Sequence, residues 1–306
     1  QPGSVFKPFV YTTALENGYP VTEQLLNQPV VLNVQNVDGS WVKWKPQNYD
    51  GSTGGLTTLR EGLRKSMNLI SVRMVQQDIA PSEQVKRTAQ RMGISTDIRA
   101  VDALALGTSE VFPLEIVSAY AAFANQGVYS KPFPITRVED RYGNVVKEFY
   151  PERKEVLSEE TAYLMTSLLQ TVMDRGTGGS ARWKYKFNRP AAGKTGTTQG
   201  WSDAWFVGFT PQIAAGCWFG VDDFRVPLGP GQDGSIAALP AWARFMKGAH
   251  DTLDFPIQKF EKPSGIHDIE ICSVTKKAPL PACPVEKEIF KVGTEPIQKC
   301  KVHRTQ

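Results

Sequence analysis

Residues 191–221 read AAGKTGTTQGWSDAWFVGFTPQIAAGCWFGV and contain the clearest strand pattern in the chain. The segments 203–210 and 213–221 are rich in aromatic and β-branched residues, and a Pro-Gln pair joins them. This arrangement predicts an antiparallel hairpin. Residues 191–198 precede the hairpin and predict a third strand. The expected centre of the fold is therefore a small antiparallel sheet.

Helical patterns lie on both sides of that sheet in the sequence. Apolar periodicity bounded by Ser, Pro and Gly residues indicates helices. The predicted helices cover residues 2–17, 57–65, 69–77, 81–92, 113–125, 158–174 and 236–250. Residues 19–56 are predicted to be irregular. Because most helices precede the strands instead of alternating with them, the predicted fold class is α+β, an antiparallel sheet flanked by helices.

The composition of the 306 residues is that of a globular protein, with 41% hydrophobic and 22% charged residues. This excludes a disordered, a collagen-like and a coiled-coil chain. The net charge of +4 comes from 35 basic and 31 acidic residues spread along the chain, so no nucleic-acid partner is predicted. The longest apolar stretch, residues 213–221, is too short to cross a bilayer.

Three of the four cysteines, Cys272, Cys283 and Cys300, lie near the C-terminal end. The sequence has no C-x-x-C pair and three histidines, so the ligand spacing argues against a structural zinc site, and no metal is predicted. A disulfide in this region is the favoured interpretation, and it implies an oxidising compartment.

The first of three motifs with nucleophilic chemistry is Ser4-Val5-Phe6-Lys7. Residues three apart share one face of a helix, so the Lys7 amine is expected to reach the Ser4 hydroxyl. A desolvated lysine with a lowered pKa can take the serine proton. The motif is weak by itself, because S-x-x-K also occurs at 40–43 and 273–276 and a solvated helix face explains any single match.

The second motif is Ser66-Met67-Asn68, which lies at a break between two predicted helices. A hydroxyl and an amide on one short turn can pass a proton and hold a peptide carbonyl. Taken alone, the triplet equally fits helix punctuation, because Ser and Asn favour helix caps.

The third motif is Lys194-Thr195-Gly196, followed by Thr197 and Thr198. On a strand edge, a lysine and two hydroxyls form a surface suited to a substrate carboxylate. Gly196 has no side chain, so a substrate is expected to lie close to the backbone there. This triplet is the most specific of the three, with about 0.07 matches expected by chance in a chain of this length.

A phosphate-binding loop is the rival interpretation of the third motif. Such a loop needs a glycine five positions before Gly193, where this chain has Asn188. Arg189 and Pro190 interrupt the tight turn, and no buried apolar strand precedes it. Nucleotide binding is therefore rejected, and no cofactor is predicted.

Together, the order Ser-Lys, Ser-Asn, Lys-Thr-Gly resembles the penicillin-binding protein and serine β-lactamase superfamily. Flanking segments are similar to class A penicillin-binding proteins. These segments are residues 1–9, 44–49, 106–111, 192–198 and 203–211, with 282–284, 293–296 and Cys300 in the tail. The resemblance therefore covers nearly the whole chain.

The resemblance implies a transpeptidase fold and a D,D-transpeptidase that cross-links peptidoglycan. The donor would be a stem peptide ending in D-Ala-D-Ala, and the acceptor would be the amine of a neighbouring stem peptide. β-Lactams would acylate the enzyme because they mimic the donor. The reaction would take place outside the cytoplasm, in the periplasm or at the outer face of the cytoplasmic membrane.

The resemblance also implies roles for individual residues. Ser4 would be the nucleophile and Lys7 its base, while Ser66 and Lys194 would return the proton to the leaving amine. Asn68 would hold the donor backbone. The N–H groups of Ser4 and Thr197 would form the oxyanion hole. The substrate-binding strand residues would be Thr195, Gly196, Thr197 and Thr198. We further predict that Lys7 is largely neutral in the free enzyme, because Lys194 disfavours a second charge.

The domain boundaries expected from this resemblance are 1–254 for the transpeptidase domain and 255–306 for a linker and small tail. The strands that precede the nucleophile in the family, the glycosyltransferase domain and the membrane helix are expected outside these residues, so membrane attachment would come only from that part. In the tail, Cys283 and Cys300 are the candidate disulfide pair, closing a loop of about 17 residues and leaving Cys272 over.

Three alternatives remain open within this resemblance, and one of them is a pseudo-enzyme that truncation has made inactive. A hydrolase, either a D,D-carboxypeptidase or a β-lactamase, would deacylate with water. The Glu-x-x-Leu-Asn element typical of β-lactamases does not occur between Asn68 and Lys194, and Met67 stands where those enzymes prefer Asp. A non-catalytic β-lactam sensor on the same fold is the second alternative, which the class A segments disfavour.

Overall fold

Helices precede and follow a central sheet in the computed structural model, which describes residues 1–35, 39–223 and 225–303. The α-helices are α1 Lys7–Glu16, α2 Leu59–Arg64, α3 Asn68–Gln76, α4 Ser82–Arg91, α5 Pro113–Ala124, α6 Glu159–Arg175, α7 Ser180–Trp183 and α8 Leu239–Thr252. Each helix predicted from the sequence is present with shifted ends. None of the helices in the described ranges is long and apolar enough to cross a membrane.

Short strands are more numerous than the sequence pattern indicated. The strands are β1 Gln24–Leu26, β2 Leu32–Gln35, β3 Trp41–Trp44, β4 Leu56–Thr58, β5 Val128–Ser130, β6 Arg137–Glu139, β7 Val145–Glu148, β8 Arg153–Glu155, β9 Ala192–Thr197, β10 Asp203–Phe209, β11 Ala214–Gly220, β12 Ile266–Cys272 and β13 Val285–Lys291. The prediction that residues 19–56 are irregular is wrong for β1 to β3, because strands of three or four residues are too short to show a period.

The central sheet has the strand order β11-β10-β9 and is antiparallel throughout. The predicted hairpin and third strand are confirmed. In the register, Trp205 of β10 lies opposite Gly196 of β9 and Trp218 of β11. Since β9 pairs on one side only among the described strands, its outer edge is open to a cleft.

Helices cover both faces of this sheet. Successive residues of β10 alternate between them: Val207 belongs to the main core, whereas Phe206 packs against Trp242 of α8, with ring centroids 4.8 Å apart. On the main-core side, α6 contacts β9, and α5 contacts β10 and β11. Helix α1 lies deepest, with all of its residues from Lys7 to Leu15 buried.

The C-terminal segment forms a hairpin of β12 and β13 that docks onto the helical body. The Arg60 guanidinium of α2 makes two hydrogen bonds, of 2.6 and 2.7 Å, to the carboxylate of Glu288 in β13. The same guanidinium donates to the Ser167 carbonyl and the Thr171 hydroxyl of α6. One arginine therefore ties the hairpin to two helices. The other pairs are β1 with β4, β2 with β3, β5 with β8 and β6 with β7.

Candidate active site

A cleft of about 300 Å³ opens where the N-terminal turn, the α2–α3 junction and the outer edge of β9 meet. All three sequence motifs contribute to its lining, through Ser4, Ser66, Asn68, Thr195, Thr197 and Thr198. Lys7 and Lys194 are fully buried, and their amines reach the Ser66 hydroxyl from the protein interior. Motifs that are far apart in the sequence thus meet at one place.

Ser4 lies in a 3₁₀ turn, Gly3–Phe6, that leads directly into α1. Val5 and Phe6 are fully buried and anchor this turn, while Ser4 lines the cleft. Within the described ranges, the Ser4 hydroxyl makes no hydrogen bond. Its oxygen is therefore available to a substrate.

Gly3 holds the nucleophile turn against the edge strand. Its φ is +53°, and a Cβ at this position would lie 2.6 Å from the carbonyl oxygen of Thr197. Its N–H donates to the carbonyl of Gly107 over 3.2 Å. Glycine is required here for both its backbone angle and its small size, so the separation of Ser4 from β9 depends on this residue.

The Lys7 amine donates hydrogen bonds to the Ser66 carbonyl at 2.6 Å and to Asn68 Oδ1 at 2.8 Å, and lies 3.3 Å from Ser66 Oγ. The sequence predicted a contact with Ser4, and the hydrogen bonds go instead to the second motif. A carbonyl and an amide oxygen are strong acceptors in a buried setting, where an amine must be satisfied. Lys7 thereby links α1 to the α2–α3 junction.

Burial and the neighbouring Lys194 ammonium hold the pKa of Lys7 well below its usual range. Burial lowers the pKa of Lys194 to about 7. The lowered pKa agrees in direction with the prediction that Lys7 is largely neutral. A neutral amine has two N–H groups, which the Ser66 carbonyl and Asn68 Oδ1 accept, so its lone pair remains free to take a proton.

Ser66 lies between the two amines with a strained backbone. Its Oγ is 2.8 Å from Lys194 Nζ and 3.3 Å from Lys7 Nζ. Its φ is +56°, in the left-handed region that usually holds glycine after a helix. Met67 donates its N–H to the Gly62 carbonyl at 2.8 Å and closes this junction. The turn aims the Ser66 hydroxyl into the space between the lysines.

Asn68 begins α3, and its amide is fixed at both ends. Its Oδ1 accepts from Lys7, and its Nδ2 donates to the carbonyl of Gln47 at 2.7 Å. The amide nitrogen carries two hydrogens, so one of them remains for a further acceptor. Asn68 lines the cleft, where that hydrogen can meet a ligand carbonyl.

The outer edge of β9 presents unpaired main-chain groups. Thr198 donates its N–H to the Asp203 carbonyl at 3.1 Å in the pairing with β10. Antiparallel strands alternate bonded and non-bonded pairs, so the N–H groups of Thr197 and Thr195 point away from β10. Ser4 supplies another N–H from the first turn of a helical segment, where such donors lack intrahelical partners.

Neighbouring groups hold the hydroxyls of the two threonines of this strand and of Thr198, which follows it. Thr195 Oγ1 lies 2.7 Å from Thr177 Oγ1, and Thr197 Oγ1 accepts from the Gly234 N–H at 3.1 Å. Thr198 Oγ1 accepts from the Asp203 N–H at 2.8 Å. The hydroxyls are therefore oriented before a ligand arrives.

The structure gives another reason for a glycine at position 196 than the one suggested by the sequence. A Cβ there would lie 2.6 Å from the carbonyl oxygen of Pro2 and 3.0 Å from Cβ of Trp205. The missing side chain therefore makes room for the N-terminal segment. The close approach of a substrate to the backbone at this position stays a prediction.

Several lining residues were not singled out as site residues from the sequence. Thr177 follows α6 and bonds to Thr195, and no pattern around it pointed to the cleft. Tyr49 lines the cleft, and its hydroxyl accepts a hydrogen bond from the Nε1–H of Trp201 at 3.0 Å. Tyr49 and Trp44 lie in the segment 44–49, which resembles class A penicillin-binding proteins, but the sequence assigned no role to either residue. Further lining residues are Lys65, Gln199, Asp233 and Ser235.

The candidate metal ligands that cluster lie in the C-terminal hairpin rather than in the cleft. In the described part of the chain they are Cys272, Cys283, Cys300 and His303. All four cysteines of the chain are free thiols in the structure, so the Cys283–Cys300 disulfide expected from the sequence is not formed. Spacing could not reveal this cluster, because tertiary folding brings its members together.

Comparison with known proteins agrees with this geometry. Residues 1–222 match a family described as the penicillin binding protein transpeptidase domain, and residues 262–305 match the C-terminal domain of penicillin-binding protein 1A. Penicillin-binding protein 1A of Aquifex aeolicus (strain VF5) is 36% identical over 302 residues, which are 98% of this chain. The chain spans 40% of the length of that relative.

Solved structures show the same fold. Penicillin-binding protein 1A from Haemophilus influenzae superposes with a TM-score of 0.88 at 30% identity, covering 98% of this chain and 49% of that one. PonA1 from Mycobacterium tuberculosis, in complex with penicillin V, superposes with a TM-score of 0.70 at 25% identity, covering 86% and 72%. The fold is that of the penicillin-binding protein and β-lactamase superfamily, and the chain belongs to the family of penicillin-binding protein transpeptidase domains.

Proposed function

We propose that this chain is a serine D,D-transpeptidase that cross-links peptidoglycan stem peptides through an acyl-enzyme intermediate. One observation carries the proposal: the Ser66 hydroxyl lies between the buried amines of Lys7 and Lys194, in a cleft that Ser4 also lines. This arrangement can remove a proton from one oxygen and deliver it to a nearby nitrogen. Similarity to penicillin-binding proteins supports the same reaction.

In acylation, Ser4 Oγ attacks the carbonyl carbon of the penultimate D-Ala of the donor. Neutral Lys7 takes the hydroxyl proton. The N–H groups of Ser4 and Thr197 stabilise the tetrahedral oxyanion, where one such donor lowers the barrier by about 3 kcal/mol. The C–N bond to the terminal D-Ala then breaks. The leaving nitrogen receives a proton from Ser66, which regains one from Lys7 while Lys194 holds its oxygen.

In the second half-reaction, the amine of an acceptor stem peptide attacks the ester carbonyl. Lys7 and Ser66 take the proton that the amine loses, and the Ser4 oxygen leaves with a proton. One peptide bond is broken and another formed, so the exchange needs no external energy source. The acceptor amine and water compete for the same acyl-enzyme.

The donor lies along the outer edge of β9 in this proposal. Its terminal carboxylate binds beside Lys194, at the hydroxyls of Thr195 and Thr197. Its backbone pairs with the outward N–H groups of the strand and with the remaining amide hydrogen of Asn68. β-Lactams carry a carboxylate and a strained amide in the same arrangement, so they acylate Ser4. The substrate-binding residues are thus Thr195, Gly196 and Thr197 of β9 and Thr198, which directly follows the strand.

The reaction is placed outside the cytoplasm, in the periplasm or at the outer face of the membrane, where stem peptides are found. We assign residues 1–254 to the penicillin-binding domain and 255–306 to a linker and a C-terminal tail. The matched segments 1–222 and 262–305 fall on the two sides of this division.

Labelling with a fluorescent penicillin tests the nucleophile. The wild-type chain is expected to form a stable adduct visible on a denaturing gel, and Ser4→Ala is expected to form none. Ser40→Ala removes the exposed serine of another S-x-x-K sequence and should label like the wild type. Labelling that persists in Ser4→Ala contradicts the assignment.

The lifetime and products of the acyl-enzyme separate the alternatives. A transpeptidase should yield a cross-linked dimer when a pentapeptide donor is mixed with an amine acceptor, as measured by mass spectrometry. A carboxypeptidase would release D-Ala without a dimer, and a β-lactamase would clear the penicillin adduct rapidly. A sensor would keep the penicillin adduct but would neither release D-Ala from the donor nor form the cross-linked dimer.

A further inference from the structure

Three thiols and one imidazole converge at the C-terminal hairpin, and none of these residues lines the cleft. The Sγ atoms of Cys272, Cys283 and Cys300 and a ring nitrogen of His303 lie within 4.8 Å of one another. Cys272 and Cys300 are buried, and the other two members are partly buried. The proposed transpeptidase reaction uses none of these groups.

Two distances between donor atoms match a tetrahedral site. His303 Nδ1 lies 3.5 Å from Cys272 Sγ and 3.4 Å from Cys300 Sγ. A tetrahedral zinc ion with Zn–S bonds of about 2.3 Å and Zn–N bonds of about 2.0 Å separates sulfur from nitrogen by about 3.6 Å. These two sulfur–nitrogen distances therefore match edges of such a tetrahedron, and the remaining donor–donor distances are all within 4.8 Å.

Main-chain donors already point at two of the sulfurs. The N–H of Thr275 lies 3.5 Å from Cys272 Sγ, and the N–H of Leu280 lies 3.2 Å from Cys283 Sγ. Donors of this kind stabilise thiolates and fix the direction of metal ligands. Neutral thiols gain little from them, so their presence favours thiolates at this site.

The backbone builds the cluster from three separate places. Cys272 ends β12, Cys283 precedes β13, and Cys300 follows β13. Cys300 donates its N–H to the Ala278 carbonyl at 2.8 Å, which fastens the last segment beside the turn after β12. His303 comes three residues later, so a C-x-x-H pair supplies two ligands from one turn.

Lysine side chains lie on one side of the cluster, in a groove that Thr275 and Val302 also line. Lys277, Lys299 and Lys301 line the groove beside it. Three thiolates and one zinc ion carry a net charge of −1, which neighbouring ammonium groups stabilise. The local charge therefore suits a thiolate-rich site and would oppose binding of a bare cation to neutral ligands.

We infer that Cys272, Cys283, Cys300 and His303 form a closed structural zinc site that orders the C-terminal hairpin. On binding, the three thiols release their protons to solvent and His303 contributes the Nδ1 lone pair, with no change of oxidation state. The hairpin has few buried apolar residues, Ile266, Ile271 and Phe290 among them. Small units of this kind usually need a metal or a disulfide to remain folded.

A disulfide is the competing state of the same thiols. Three cysteines cannot all pair within the cluster, so a disulfide would leave one thiol unpaired. The zinc site uses all three and also accounts for His303. The zinc-bound state and the disulfide state can both be detected in the full chain.

Metal analysis of the purified full chain is the direct test. Elemental mass spectrometry should find one zinc ion per chain. The substitutions Cys300→Ser and His303→Ala should each lower the zinc content at least tenfold. Matched controls are Cys217→Ser, which removes the cysteine of β11, and His267→Ala, which removes an exposed histidine of β12. Both should retain one zinc.

A measurement on the wild-type chain keeps the test valid if a variant fails to fold. The chain is denatured in an alkylating reagent without reductant, and the modified cysteines are counted. Four modified cysteines together with one zinc support the site. A disulfide between any two of the three cysteines, iron in place of zinc, or four thiols without metal would each overturn it.

Discussion

At the scale of single residues, Ser66 combines a strained backbone with a central position. A serine at a φ of +56° is less stable than a glycine by about 1–2 kcal/mol. Its hydroxyl nevertheless connects the amines of Lys7 and Lys194. Strain kept at a site where a group is needed is typical of functional positions.

Two substitutions of Ser66 separate the effect of its hydroxyl on the reaction from the effect of its backbone strain on stability. Ser66→Gly and Ser66→Ala both lack the hydroxyl, and both should slow penicillin acylation at least about 100-fold if it relays a proton. The glycine variant should be more stable than the alanine variant by about 1 kcal/mol, because it relieves the left-handed strain. Urea denaturation measures this difference. If the glycine and alanine variants are equally stable, Ser66 is not strained. If either variant is acylated at the wild-type rate, the Ser66 hydroxyl does not relay a proton.

The two lysines predict a bell-shaped dependence of acylation on pH. Raising the pH through the lowered pKa of Lys7 creates the neutral base and should raise the rate. Above pH 7 the rate should fall, because Lys194, with a pKa of about 7, loses the charge that attracts the carboxylate. Stopped-flow acylation by a β-lactam measures both limbs.

Lys194→Arg is the control for the falling limb. Arginine keeps its charge across this pH range, so the variant should react more slowly but lose the decline above pH 7. A wild-type rate that is constant from about pH 6 to 9 would contradict the assigned protonation states.

At the scale of elements, the site depends on how the N-terminal 3₁₀ turn meets β9. A Cβ on Gly3 would lie 2.6 Å from the carbonyl oxygen of Thr197, and the N–H of Gly3 donates to the carbonyl of Gly107. The nucleophile therefore owes its position to close packing of backbone on backbone. Such contacts tolerate little displacement, because interiors are close-packed.

Gly3→Ala should therefore displace Ser4 from the strand. A shift of about 1 Å in a reacting group can slow a reaction about 100-fold, and we expect a penicillin acylation rate lower by that order. Gly18→Ala is the matched control, because Gly18 also has a positive φ, +85°, but no atom within 4 Å of the added Cβ. It should lose some stability yet acylate normally. Similar rates in both variants would contradict the packing argument.

At the scale of the whole molecule, the C-terminal hairpin is held to the helical body by Arg60. Both Arg60 and Glu288 have side chains that are 12% exposed, and two hydrogen bonds join them. Ser167 and Thr171 accept from the same guanidinium. Residues of α2, α6 and β13 therefore depend on one buried charge pair.

Glu288→Gln should lower the free energy of unfolding by about 2 kcal/mol, because it leaves the Arg60 charge without its carboxylate. Glu270→Gln makes the same change at an exposed position of β12 and should alter stability by less than about 0.5 kcal/mol. Chemical denaturation gives both values, and limited proteolysis should release the hairpin faster in Glu288→Gln. Equal effects of the two substitutions would show that the pair does not fasten the hairpin.

Local patterns in the sequence were enough to predict the long helices, the central sheet and the three motifs. Helices and the β9–β11 strands extend over enough residues to show a period, and the motifs are contiguous. These are local properties of the chain. The order of the motifs also pointed to the family that the comparisons later identified.

The partners of each side chain, in contrast, are visible only in the folded chain. Three contacts of the site join residues that are distant in sequence. They are the hydrogen bond from Lys7 to Asn68, the hydrogen bond between Thr177 and Thr195, and the packing of Gly196 against the Pro2 carbonyl. The short strands and the four-donor cluster of the tail arise in the same way. Long-range pairing is set by which surfaces pack together, and a single sequence carries no local periodicity that records it.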